Sequence, residues 1–196
     1  MFSLKRSQET IHYYNVRDHR AKQRFSSILI YHFKKACHAR RPLVFLCIGS
    51  DRATGDALGP LVGQQIQDFK IKKRALSHTL FVYGSLSEPV HAMNLMDTVN
   101  RIYQNHTHPY IIAVDASLGI PKHIGYVTLG HGPLTPGVGV GKQLPAVGNA
   151  HITGIVNTGT GNNLNQILQT TRLSTVVELS DFVSEGILDV CTRMLR

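Results

Sequence analysis

Two aspartates stand where an apolar run gives way to a polar loop: Asp56 in "CIGSDRATGDALGP" (47–60) and Asp115 in "VDASLG" (114–119). Two carboxylates held close together can share one proton, because mutual repulsion drives their pKa values apart. Such a pair activates water for hydrolysis or binds a metal. Each acid also has a plain structural use, Asp56 as the N-cap of a helix over 57–69 and Asp115 as a turn former at a strand end. Position favours chemistry when the two are taken together. In open α/β sheets the working residues gather beyond the carboxyl ends of the strands, and the segments 49–56, 84–88 and 115–119 put polar groups there. The expected pocket therefore includes Gly49, Ser50, Asp51, Gly55, Ser85, Glu88 and Ser117 around the two acids.

Other chemistries fit less well. The loop after residue 48 matches neither GxGxxG nor GxxxxGK[ST], carries no lysine, and has Asp56 at the helix entrance, where a carboxylate repels phosphate. There is no GxSxG elbow, and Ser50, Ser85 and Ser117 have no base beside them in sequence. Eleven histidines are scattered without ligand spacing. Of these His131, at the start of a Gly/Pro-rich loop, is kept as a ligand or proton carrier. That loop, "GPLTPGVGVGKQLPAVGN" (132–149), holds five glycines and three prolines. It reads as an ordered cover over a site, and its one cation, Lys142, could steady a carboxylate.

The elements that must hold these groups follow from periodicity. Residues 1–17 read as a polar, frayed lead-in and 18–196 as one α/β domain. Asp18 caps a helix to about His38, with Phe25, Ile28, Leu29, His32, Phe33 and Ala36 on one face. "LVFLCI" (43–48) is a strand buried on both faces, as in parallel sheets. A helix over 57–69, a strand over 78–84, a helix from Ser87 to about Gln104, and strands over 110–116, 125–130 and 151–157 follow. A helical tail fills most of 162–195. Alternating strands and helices predict a mostly parallel sheet of about five strands in an α/β fold.

Composition is that of an ordinary globular chain, 42% hydrophobic and 17% charged. The net charge of +9 is uneven: residues 1–42 carry ten Lys/Arg against two acids, and the remainder eleven against ten. The basic front suits a solvated helix face or an acidic partner such as nucleic acid. Cys37, Cys47 and Cys191 form no CxxC pair and fit a reducing cytosol. No run approaches the length of a membrane span, no secretory signal is read, and no membrane partner is expected. Self-association is left open.

Taken together, "IGSDRATGDALGPLVG", "YGSLSEPVHAMNL", "PGVGVGKQLPAVG" and "ITGIVN" resemble the germination protease family of spore-forming bacteria. They resemble more closely the YyaC-type sporulation proteins, over about residues 40–195. More distantly the fold resembles the hydrogenase-maturation endopeptidases, which implies a three-layer α/β/α sandwich. The resemblance implies an aspartate-dependent endopeptidase with Asp56 and Asp115 as its acids, acting on small acid-soluble spore proteins in the cytoplasm of mother cell or forespore. No cofactor is assigned. The alternatives are a divalent metal at Asp56 and Asp115 with His131, as in a maturase-like protein, or a sporulation binding or regulatory protein without proteolysis.

Overall fold

A computed structural model describes residues 10–72, 80–137, 144–160 and 163–194. In chain order they form β1 (Ile11–Asn15), α1 (Ala21–His38), β2 (Leu43–Cys47), α2 (Leu58–Lys72), β3 (Leu80–Tyr83), α3 (Leu95–Asn105), β4 (Tyr110–Gly119), β5 (Tyr126–His131), β6 (Ala150–Thr158), α4 (Leu164–Gln169) and α5 (Leu173–Met194). The six strands make one sheet in the order β1-β5-β6-β4-β2-β3. The pairs β2–β3, β2–β4 and β4–β6 are parallel, and β5–β6 and β1–β5 are antiparallel. The fold is mixed α/β, as the alternation of segments predicts.

Successive residues of a strand point to opposite faces, and β2 and β4 use both. Phe45, Cys47, Ile112 and Val114 join Phe25 and Leu29 of α1, Val62 of α2 and Leu179 of α5 in the larger core. Val44, Leu46, Ile111 and Ala113 join Leu95 and Ile102 of α3 in a second cluster. That is why "LVFLC" is apolar throughout.

Several boundaries differ from the sequence reading, each for a physical reason. The supposed lead-in contains β1, whose five residues pair in register with β5 and whose Tyr14 is 3% exposed. The sheet therefore has six strands. Asp18 does not cap α1. It lies in the preceding turn, its carbonyl and carboxylate accepting the N–H groups of Ala21 and Arg20 at 2.9 Å. The segment after Ser87 is not helical: it bends through Glu88, Val90 bridges to Ile48, and α3 starts only at Leu95, after a turn ending at Asn94. The tail breaks into α4 and α5. The expected strand over 78–84 reaches into residues outside those described.

Candidate active site

The site is built just past the end of β2 and along β4 and β6, so Asp115 does not stand at a strand end as the sequence suggests. After β2, Gly49 donates its N–H to the Val90 carbonyl at 2.7 Å, and the chain enters a 3-10 turn at Thr54–Ala57. Asp56 is thus inside that turn rather than capping α2, and its neighbourhood is fixed through the main chain. Its carbonyl accepts the Ser50 N–H at 3.1 Å, and its own N–H donates to Ala53 at 3.0 Å. α2 follows at once with Gly59 pressed on the end of β2; a methyl group there would meet the Ile48 carbonyl at 2.0 Å.

Asp115 lies within β4, opposite Thr153 of β6 in the parallel register, and is 8% exposed. Its Oδ1 accepts the Ala116 N–H at 2.8 Å. Burial pushes its carboxyl well above the ordinary carboxylate range, the charge of Asp56 pushes it further, and the Ala116 N–H opposes both. Beside it Ser117 Oγ donates to Thr153 Oγ1 at 3.2 Å, and Thr153 and Thr128 share a hydroxyl contact of 2.7 Å.

Asp56 and Asp115 open into one cleft of about 710 Å³. One wall comes from Leu134–Gly137 and Leu144, the described parts of the Gly/Pro-rich loop that line it. Two backbone bonds of 2.8 Å between Leu134 and Val147 pin that wall. Apolar walls around a few polar groups are the usual character of a small-molecule or peptide site.

Of the residues picked from sequence, Gly49, Ser50, Asp56, Asp115 and Ser117 line this cleft together. Gly55 is buried behind it against Leu168 and Thr171. Asp51 and Glu88 are exposed and off its walls. Ser85 is buried in a tight turn, its Oγ accepting the Glu88 N–H at 3.2 Å. Lys142 lies outside the described residues. His131 is at the opposite edge of the sheet: β5 runs antiparallel, so its last residue pairs with Ala150 at the start of β6, and its ring stacks on His32 of α1. The trio Asp56, Asp115 and His131 is therefore not assembled. Among the described residues no three His, Cys, Asp or Glu side chains are grouped closely enough to hold a metal ion.

The cleft also takes residues that the sequence reading passed over: Arg52, His91, Met93, Thr153, Asn165 and Gln169. His91 follows β3 by eight residues, and its Nδ1 accepts the Met93 N–H at 3.3 Å. The strand-end rule that selected 84–88 reaches it when the window is extended by three residues. No helix among the described residues is long and apolar enough to cross a membrane.

Comparison with known proteins covers most of the chain. A family profile described as "Protein of unknown function (DUF1256)" matches residues 13–186. The chain is also 43% identical over 182 residues to the "Uncharacterized protein YyaC" of Bacillus subtilis (strain 168), an alignment covering 92% of this chain and 84% of that one. The match begins inside β1 and takes in every element of the sheet and both cleft aspartates, and on this ground the chain belongs to the DUF1256 family.

Proposed function

We propose that the protein is a peptidase-like hydrolase in which Asp56 and Asp115 share a proton and activate water against a polypeptide. The observation that carries this reading is the buried Asp115 carboxyl, held toward its neutral form by burial and by Asp56, in the same cleft as Asp56. Asp115 donates a hydrogen bond to the scissile carbonyl while Asp56 takes a proton from the attacking water. The proton then passes to the leaving amine, which restores the starting arrangement. Apolar walls at Leu134, Leu144 and Leu168 suit a side chain of the substrate. The likeness of the "TGDALGP" and "VDASLG" segments to the germination protease family supports small acid-soluble spore proteins as substrates, a cytoplasmic setting in a spore former, and a three-layer α/β/α arrangement of the helices about the sheet.

The test is incubation of the protein and its Asp56→Asn and Asp115→Asn variants with small acid-soluble spore proteins, with and without a chelator. Discrete fragments from the parent protein that persist under chelation and vanish in both variants are the expected result. Cleavage lost on chelation returns the site to metal chemistry. Intact substrate held tightly by all three proteins overturns hydrolysis in favour of a non-proteolytic binding protein.

A further inference from the structure

The two ends of α1 differ in how their charge is met. At its start Lys22 pairs with Glu185 and Arg24 with Asp18, while Arg17, just before the helix, pairs with Glu178 at 3.1 Å. At its far end, among the described residues, no carboxylate pairs with Lys34, Lys35, Arg40 or Arg41. Tyr31, Lys34, Lys35 and His38 fall at i, i+3, i+4 and i+7, so they form one stripe, and all four are exposed. Tyr31 is 55% exposed, with the Lys35 ammonium 5.9 Å from its ring centre.

The stripe runs into a turn that carries a conformational cost. Arg41 N–H closes on the Ala36 carbonyl and Arg40 N–H on Cys37, both at 2.9 Å, with Arg40 at φ 50°. Glycine is the usual residue at that position of a helix end, and an arginine there strains the backbone. Among the described residues one other non-glycine residue has positive φ, the exposed His108. Its turn is fastened to this one by Arg41, whose guanidinium donates to the His108 and Pro109 carbonyls at 2.8 and 2.6 Å. Cations in the last turn suit the helix dipole, which accounts for Lys35 and His38. It does not account for Arg40, which lies beyond the helix, or for an exposed aromatic in the stripe.

We propose that this edge binds single-stranded nucleic acid, with phosphates on Lys34, Lys35 and Arg40 and a base stacked on Tyr31. A protein partner is the poorer fit, because interfaces between proteins need an apolar centre and the stripe has a single large ring. A phosphate chain gains from counterion release without apolar area, and bases stack on exposed aromatics whatever their sequence. The edge lies at the opposite end of the sheet from the aspartate cleft, so the inference is independent of the hydrolase reading.

The experiment is fluorescence anisotropy of the full chain with a labelled oligothymidine about fifteen nucleotides long. Three phosphate contacts give a fall of log affinity with log salt of slope about 2. Tyr31→Ser weakens binding about tenfold. Arg40→Gly weakens binding while raising the melting temperature, so its loss is not a folding defect. Arg17→Ala removes the same formal charge from an ion pair elsewhere and leaves affinity unchanged. The proposal is overturned if Arg17→Ala and Arg40→Gly lose affinity equally, if the oligomer does not bind at low salt, or if duplex DNA or polyglutamate binds more tightly.

Discussion

The backbone of Gly49 lies against the carbonyl oxygen of Asp56 so closely that a methyl group on Gly49 would stand 2.0 Å from it. The same carbonyl takes the Ser50 N–H, so the loop closes on its own aspartate and sets where that carboxylate emerges. Gly49 also has φ +140°, a conformation other residues rarely adopt. Gly49→Ala combines a backbone clash with strain and is expected to cost ~3 kcal/mol or more. Gly125→Ala has positive φ but open space around it and is expected to cost ~1 kcal/mol. Urea unfolding of both checks the difference, and equal losses would show that Gly49 matters for its φ alone.

Tyr14 tests the edge strand. Its ring packs edge-on against Phe25 at 5.4 Å, but its buried hydroxyl has no hydrogen-bond partner among the described residues. Burial pushes that hydroxyl up to about 12, with Arg24 opposing. Tyr14→Phe is therefore expected to raise stability by ~1 kcal/mol, whereas Tyr14→Ala should cost ~3 kcal/mol by leaving a cavity between β1 and α1. Removing residues 1–16 should lower the melting temperature by more than Tyr14→Ala does, because it strips the whole of β1 from β5. A truncated chain that melts like the parent would mean that β1 adds no stability.

How much of this was legible depends on which faces are buried. β2 and β4 are apolar on both faces and stand out in the sequence, and with them the strand-end rule found Asp56 and Asp115. β1 was not legible because it is an edge strand with one buried side chain, Tyr14, among exposed or half-buried neighbours. "SLSEP" has the composition of a helix start, yet the chain there bends and Val90 bridges to Ile48, so no helix forms before Leu95. Strand direction was the other blind spot. "GYVTLGH" reads the same whether parallel or antiparallel, and only the observed register sends His131 to the far edge while leaving Thr128 beside Thr153. His91 was missed because no short-range spacing links it to either acid; its place depends on the loop after β3 folding over the cleft.

Asp115 carries a pH signature. Its folded carboxyl titrates above the ordinary range because of burial first and Asp56 second. Between the unfolded and folded values the native state holds the extra proton, so this group's contribution makes stability fall as pH rises through that window. Asp115→Asn keeps an oxygen for the Ala116 N–H and never ionises. The variant should be more stable than the parent at neutral pH, with the gap closing as pH drops below the ordinary carboxylate range. Melting temperatures of both proteins from acid to neutral pH measure this, and a gap that widens in acid would contradict the burial argument.

His32 has the opposite sign. It lies on the buried face of α1 at 2% exposure, its Nδ1 and the Tyr110 hydroxyl sharing a hydrogen bond of 2.8 Å and its ring stacked on His131 with centroids 5.8 Å apart. Burial above all, then His131, Lys35, His151 and His12, bring it from the ordinary 6.5 down to about 4. The charged groups that act on it are all basic, so the pocket tolerates only the neutral ring. In the unfolded chain the imidazole takes a proton near 6.5, and in the folded chain near 4; between those values the unfolded state binds more protons. The stabilisation is full above the unfolded value and is lost as pH falls through the window, a change on the order of 3 kcal/mol. His32→Gln removes the titrating group and can still hydrogen-bond the Tyr110 hydroxyl, so it should be less stable than the parent at neutral pH and draw level or overtake it near pH ~4. His131→Asn removes the stacked ring and should raise the His32 value toward ordinary, which ring-proton NMR reads directly. A His32 resonance titrating near 6.5 in the intact protein would overturn this account.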